Sequence, residues 1–285
     1  MPDEIKIHAY TIETGRRSES FDEIIEIVSS DTLDARTRDV NFSQIRAEDV
    51  QETSDFRFVD FIRMRGTHGP GKASEQLAVS GFSFNPGEFF AEETALLYDA
   101  SLNTVFIQYN HHGVRAGSIS EYFSAYTNNP ESSIKFLPKL RRDAERRLRS
   151  KSIFKSIDIL VAPATLQSSD NELSVNSALA ILAQSSGAQK IEITLRAKRG
   201  KNESLDWRNA NNIINWIREK IPSGAISTAR IQAKENADSD IELIDLLADR
   251  LCSTHPINVG PDLRWPRQQR YNALVAARNR LFGLL

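Results

Sequence analysis

A chain of 285 residues with 40% apolar and 26% charged side chains, 13 glycines, 10 prolines and one cysteine has the composition of one large globular domain or two small ones. Disorder, collagen-like repeats and low complexity are excluded, and the longest apolar run, six residues at 178–183, is far below the roughly 20 a membrane-spanning helix needs. The first residues, Met-Pro-Asp-Glu-Ile-Lys, show neither a basic nor an apolar leader region, and the single Cys252 fits a reducing compartment, so a cytoplasmic protein is expected.

The net charge of −2 hides an asymmetry. Residues 1–60 carry 15 acids against 7 bases, and residues 61–285 carry 23 acids against 29 bases. An acidic first fifth is joined to a mildly basic body. Asymmetry of this kind points to a polyanion partner, but a pI of 6.3 confines any such site to a local patch.

Alternation of Ile5, Ile7 and Ala9 with Lys6 and His8 predicts a strand. Residues 13–55 are polar and read as an acidic, mobile segment holding one short helix on Phe21, Ile24, Ile25 and Val28. Residues 56–65 return to aromatic and β-branched types, a strand with a bulge near Val59, and the 66–71 loop ends it. Residues 94–99 and 104–110 read as a hairpin. Ser118 and Glu121 match a capping box for a helix carrying Ile119, Tyr122, Phe123 and Tyr126, closed by Asn128, Asn129 and Pro130.

Residues 134–138 lead into a helix with Leu140, Ala144 and Leu148 spaced by four. Residues 156–162 predict a buried strand ended by Pro163. A helix over 173–183 stops at Gly187, and an alternating strand over 190–198 runs into Gly200. Residues 206–221 predict a helix with Ala210, Ile213, Ile214 and Ile217 on one face. Residues 226–233 and 241–247 form a hairpin, the second half of which also fits a helix, and residues 271–281 close the chain as a helix. Hairpins mixed irregularly with helices indicate α+β: mainly antiparallel sheets with packed helices, in two subdomains drawn at 1–150 and 151–285.

Among chemical motifs, residues 66–72 (Gly-Thr-His-Gly-Pro-Gly-Lys) satisfy seven positions of the phosphate-binding loop, but Ala73 stands where a metal-ligating hydroxyl is required. A plain Gly/Pro turn is the simpler reading. Cys252 and His255 have ligand-like spacing with no second pair nearby, so no metal site is assigned. No catalytic residue and no cofactor is assigned either.

The basic features are stronger. Residues 139–155 hold eight cations against Asp143 and Glu145. Arg142, Arg146 and Arg149 fall at i, i+4 and i+7, flanked by Arg141, Arg147 and Lys151, with the leucines turned to a core. Guanidinium forks on one helix flank match paired phosphate oxygens. The competing reading is a solvated face neutralised by the acids of 13–60. Lys198, Arg199 and Lys201 crowd a strand end, the C-terminal segment carries Arg264, Arg267, Arg270, Arg278 and Arg280, and Arg115 precedes a helix start, where free N–H groups favour an anion. Dispersed cations of this kind confer affinity and salt dependence with little sequence choice.

The succession of blocks at residues 92–99, 105–110, 113–123, 153–162 and 191–198 resembles the RexA-like phage-exclusion proteins and the KwaB-like proteins of Kiwa antiphage defence, over roughly residues 56–285. The resemblance implies an α+β, homodimeric protein of antiviral defence or abortive infection that binds DNA with little sequence preference beside a membrane-protein partner, and it supplies no catalytic residue. RNA in place of DNA stays open. So do two other readings: a nuclease or nucleotide-dependent effector, and a pure protein-interaction subunit.

Overall fold

A computed structural model of the chain describes residues 3–15, 19–67, 69–127, 133–162 and 174–284. The expected ends of three elements, at Asn128, Asn129, Pro130, Pro163 and Leu173, lie outside these residues, as does His68. The α+β class holds: six α-helices and twelve strands are described, with every strand pair of known register antiparallel.

The chain forms two compact units, and it passes between them more than once. The first comprises residues 1–7, 14–134 and 254–276; the second comprises residues 8–13, 135–253 and 277–285. Strand β1 (Asp3–Thr14) contributes to both.

In the first unit follow α1 (Phe21–Ser30), β2 (Thr37–Val40), β3 (Ser43–Glu52), β4 (Arg57–Arg65), β5 (Phe90–Asp99), β6 (Thr104–Tyr109) and α2 (Ala116–Ser124). Strands β2 to β6 form an antiparallel meander, within a sheet ordered β12-β1-β6-β5-β4-β3-β2, where β12 is Cys252–Ile257. Residues 19–55 of the segment expected to be mobile are therefore structured. Their polarity reflects strands with one wet face: β3 buries only Ile45 and Ala47, the pattern of an antiparallel sheet open to water on one side. Helix α1 is specified locally, because Ser20 accepts from Glu23 N–H at 3.2 Å while the Glu23 carboxylate takes Ser20 N–H at 2.7 Å, a capping box. It buries Phe21 edge-on to Tyr98 and Phe123, at 4.9 and 4.8 Å.

Two local expectations are corrected. The bulge lies on β3 and not on β4: Ala47 pairs Phe61 and Asp49 pairs Asp60, so Glu48 is the extra residue, while β4 runs in unbroken register with β5. Helix α2 begins two residues before Ser118, with Arg115 at its N-cap and no side-chain cap. Ser118 and Glu121 instead receive Asn41 Nδ2, at 3.3 and 2.5 Å. Asn41 has φ +50°, a left-handed conformation that Asn tolerates better than most residues.

The second unit holds β7 (Ile134–Pro138), α3 (Arg142–Arg149), β8 (Ile153–Val161), α4 (Ser174–Ser186), β9 (Ile191–Arg196), α5 (Trp207–Lys220), β10 (Ile226–Lys234) and β11 (Glu242–Asp245). Four strands pair in the order β11-β10-β8-β9, so residues 226–247 form the hairpin and not the helix. The core joins Phe154, Ile157, Ile159 and Val161 of β8 to Ala210, Ile214 and Ile217 of α5 and to Ala144 of α3. Asp206 caps α5 by accepting Asn209 N–H at 2.8 Å, and the expected stops Gly187 and Gly224 have φ +66° and +80°, which glycine adopts freely. The last helix, α6 (Arg267–Phe282), spans the final two segments.

Candidate nucleic-acid interface

Helix α3 is short, and tertiary packing holds it. Leu140 and Ala144 are buried in the second unit's core with Leu148 packed against it, which turns the arginine flank outward as the spacing predicted. The acids Asp143 and Glu145 stand in the first turn and Arg146, Arg147 and Arg149 in the last, both favourable to the helix dipole. The strand-like segment before it is stitched to residues 249–251: Arg141 N–H reaches Asp249 O at 2.9 Å, and Leu251 N–H reaches Lys139 O at 2.7 Å.

Beside α3 lies an open groove of about 870 Å³ within the second unit. Its cations are Lys139, Arg141, Arg142, Arg146, Arg149 and Arg218, opposed only by Asp143 and Glu145. Arg218 comes from α5 and was not singled out by the sequence, because a single arginine beside the aliphatic positions of a helix gives no charge signal. The six cations divide by what holds them. Arg141 donates to the buried Asp249 carboxylate, whose hydrogen bond and charge raise its pKa further. Arg149 and Arg218 share Glu145, at 3.2 and 3.4 Å. Arg142 and Arg146 are exposed, and among the described residues neither makes an ion pair or side-chain hydrogen bond. Their guanidinium groups are the ones a phosphate can take without displacing a carboxylate.

The remaining basic positions sort differently. Arg147 is held between Asp143 and Asp249, at 3.8 and 3.3 Å, and does not line the groove. Lys151 is a correction: its side chain has no exposure and lies 2.8 Å from Glu242 Oε1, off hydrogen-bond geometry but an ion pair, so it cannot reach a ligand. Lys155 is likewise structural, its ammonium donating to the carbonyls of Gly200, Lys201 and Glu203. That cluster folds the turn bearing Lys198, Arg199 and Lys201. Lys198 and Arg199 are exposed, Lys201 pairs with Asp238 at 2.5 Å, and none of the three lines the groove.

In the first unit, Arg115 donates to His111 Nδ1 at 3.2 Å and lies over the Tyr109 ring at 4.8 Å. Its loop is tied to β5, with Val114 N–H on Thr94 Oγ1 at 3.0 Å; a Cβ on Gly113 would stand 2.4 Å from that oxygen, which explains the glycine without any anion. Three of the C-terminal arginines, Arg264, Arg267 and Arg270, are absorbed too. Arg270 is 1% exposed and forks onto fully buried Asp60, with Glu93 at 3.1 Å. Arg267 reaches Asp60 at 2.9 Å and Asp49 at 3.5 Å, and Arg264 grips Glu93. These acids pair with arginines of their own unit, while Arg141, Arg147 and Arg149 pair with Asp143, Glu145 and Asp249 and not with the acids of 13–60.

Neither alternative chemistry gains geometry. No helix follows Lys72; its backbone exchanges both hydrogen bonds with Ser80, at 2.8 and 2.9 Å, whereas a phosphate-binding loop needs a helix N-terminus there. Cys252 and His255 sit three apart on β12, on opposite faces of a strand, and no cluster of three His, Cys, Asp or Glu that could hold a metal occurs among the described residues. No described helix is long and apolar enough to cross a membrane.

A comparison with curated proteins finds no match. The family described as "Family of unknown function (DUF6731)" matches residues 13–269, a span that takes in most of both units, and the chain belongs to that family.

Proposed function

We propose that this protein binds the phosphate backbone of nucleic acid, DNA in the first instance, through the groove beside α3 and without base selectivity. The observation that carries the reading is the groove's excess of cations, with Arg142 and Arg146 exposed and uncommitted. Binding of this type displaces condensed counterions, so affinity falls linearly with the logarithm of salt and is indifferent to sequence. The setting, a homodimer of antiphage defence acting beside a membrane protein, is the contribution of the RexA-like and KwaB-like resemblance to the proposal, and the cytoplasmic location that of the sequence reading.

The test is binding of the full chain to labelled duplexes of two unrelated sequences across a salt series with Mg²⁺ present, the DNA then being run on a gel. The wild type should bind both alike, with the DNA intact. Arg142→Ala/Arg146→Ala should flatten the slope by about 0.9 for each phosphate that is no longer neutralised, whereas Arg115→Ala, in the other unit, should leave it unchanged. No binding at low salt, or a slope indifferent to the double substitution, overturns the proposal, and cleavage of the DNA moves the nuclease reading ahead of it.

A further inference from the structure

A second cavity, of about 890 Å³, lies within the first unit. One wall consists of Phe82, Phe84 and Phe89 from the loop before β5, and of Phe90, the first residue of β5. Phe82 and Phe84 meet Phe90 edge-on, with ring centroids 5.8 and 4.6 Å away. The glycine-rich loop permits this arrangement: a Cβ on Gly69 would stand 1.8 Å from the Phe90 ring. Phe82, Phe84 and Phe89 nevertheless remain 48, 44 and 45% exposed. Phenyl rings are the side chains that gain most from burial, and three left wet at the mouth of one cavity mark a surface that something covers.

The rest of the lining says what. Leu263 stands on it with φ +61° and 86% exposure. A leucine in the left-handed region with its side chain in water combines two costs at one residue, a pattern that concentrates at binding sites. Arg46 is held by Glu48 at 2.6 Å and Arg264 by Glu93, whereas Lys72 is exposed and, among the described residues, makes no ion pair. Lys72 is the cation of this lining that no carboxylate holds among the described residues, and a simple anion would leave the rings wet. A flat ring joined to an anion satisfies both.

We propose that this cavity takes an unpaired nucleotide of a single strand, the base stacked against Phe82 and Phe84 and the phosphate on Lys72. Aromatic stacking of bases with a nearby cation is the general chemistry of single-strand binding. Because the acids Glu48, Glu93 and Asp262 also line the cavity, its electrostatic pull is weak and stacking supplies most of the selectivity. The site thus differs from the groove beside α3, which needs no bases.

The experiment uses the full chain carrying Arg142→Ala/Arg146→Ala, so that the groove contributes little. Fluorescence anisotropy compares a thymidine strand of about ten nucleotides with an abasic strand of equal length. The thymidine strand should bind about fivefold tighter or more, as one stacked base implies. Phe82→Ala/Phe84→Ala should abolish that ratio, and Phe84→Leu, which keeps bulk but not the ring, should lower it, both with unchanged melting. Lys72→Met should weaken both strands alike. Equal affinity for the two strands, including no binding of either, or a preference that survives loss of the rings, overturns the proposal, and neither result bears on the duplex salt slope of the wild type.

Discussion

The buried ion pair of Arg270 and Asp60 offers the sharpest stability test. Among the described residues Arg270 is the largest fully buried side chain, and its guanidinium meets both oxygens of Asp60, with Glu93 at 3.1 Å and the Trp265 carbonyl at 3.2 Å. Asp60 has no exposure and would retain only Arg267 Nε, at 2.9 Å. Arg270→Met keeps the length of the side chain and removes two charge-assisted bonds from a carboxylate that water cannot reach. Breaking a buried pair from one side costs about 3–5 kcal/mol, and at about 2–4 °C per kcal/mol the melting temperature should fall by about ten degrees. Asp60→Leu/Arg270→Met removes both charges together and should recover most of the loss, since apolar replacement of a whole buried pair is often neutral. The assay is a double-mutant cycle by urea and thermal denaturation, read from the midpoint and slope. If Arg270→Met melts within about 1 kcal/mol of the wild type, or if the two single losses simply add, the network is not the coupled unit described.

Three other outcomes are expected. Ser20→Ala should cost about 1 kcal/mol by removing a real cap, and Ser118→Ala much less, since Ser118 only receives an exposed bond from Asn41 at 3.3 Å; equal losses in urea titrations would contradict the assigned helix starts. Burial, assisted by the Asp22 charge and hydrogen bond, pushes the Tyr98 phenol up from 10.0 to about 12, and burial raises Tyr122 and Tyr271 as well. A raised phenol favours the folded state at lower pH, so stability should hold below pH 10 and be lost as pH rises through about 12, and phenolate absorbance from these three should appear together with loss of circular dichroism; ionisation near pH 10 with the fold intact would refute this. Asp249→Asn should free Arg141 for the groove while the backbone bond to Arg141 N–H persists, steepening the duplex salt slope by about 0.9 at some cost in melting temperature; an unchanged or flatter slope would show that Arg141 does not face the ligand.

Much of the fold was legible because period and punctuation agreed. The helix at residues 207–220 carried its cap at Asp206, its apolar face and its Gly224 stop in the sequence, and the 94–109 hairpin showed two apolar strands about a polar turn. The failures share a cause. Strands β2 and β3 went unread because a sheet with a wet face asks for few apolar residues, and β3 spends its polar positions on pairs such as Arg46 with Glu48. Strand β12 was hidden by a Cys-Ser-Thr-His-Pro-Ile run in which only Ser253 and Ile257 are buried. Ser118 and Glu121 matched a cap by spacing alone, and nothing local reveals that Asn41, 77 residues away from Ser118, occupies both.

Charge density was the least transferable signal, for a physical reason. A cation's availability depends on whether a carboxylate is nearer than the ligand, and the carboxylates that decide here are remote in the chain: Asp249 lies 108 residues from Arg141, and Asp60 lies 210 from Arg270. Counting bases over 139–155 picked out a helix whose apolar spacing does turn one arginine flank outward. It could not tell Lys151, sealed against Glu242, from Arg146, open to solvent. The same count over the C-terminal segment could not show that Arg264, Arg267 and Arg270 serve the acids of β4, β5 and the β3 bulge region. The acidic excess of residues 1–60 and the basic excess beyond it are therefore partly one structural account: acids early in the chain hold arginines near its end within the first unit, and in the second unit Arg142 and Arg146 of α3 are the groove cations that no carboxylate holds among the described residues.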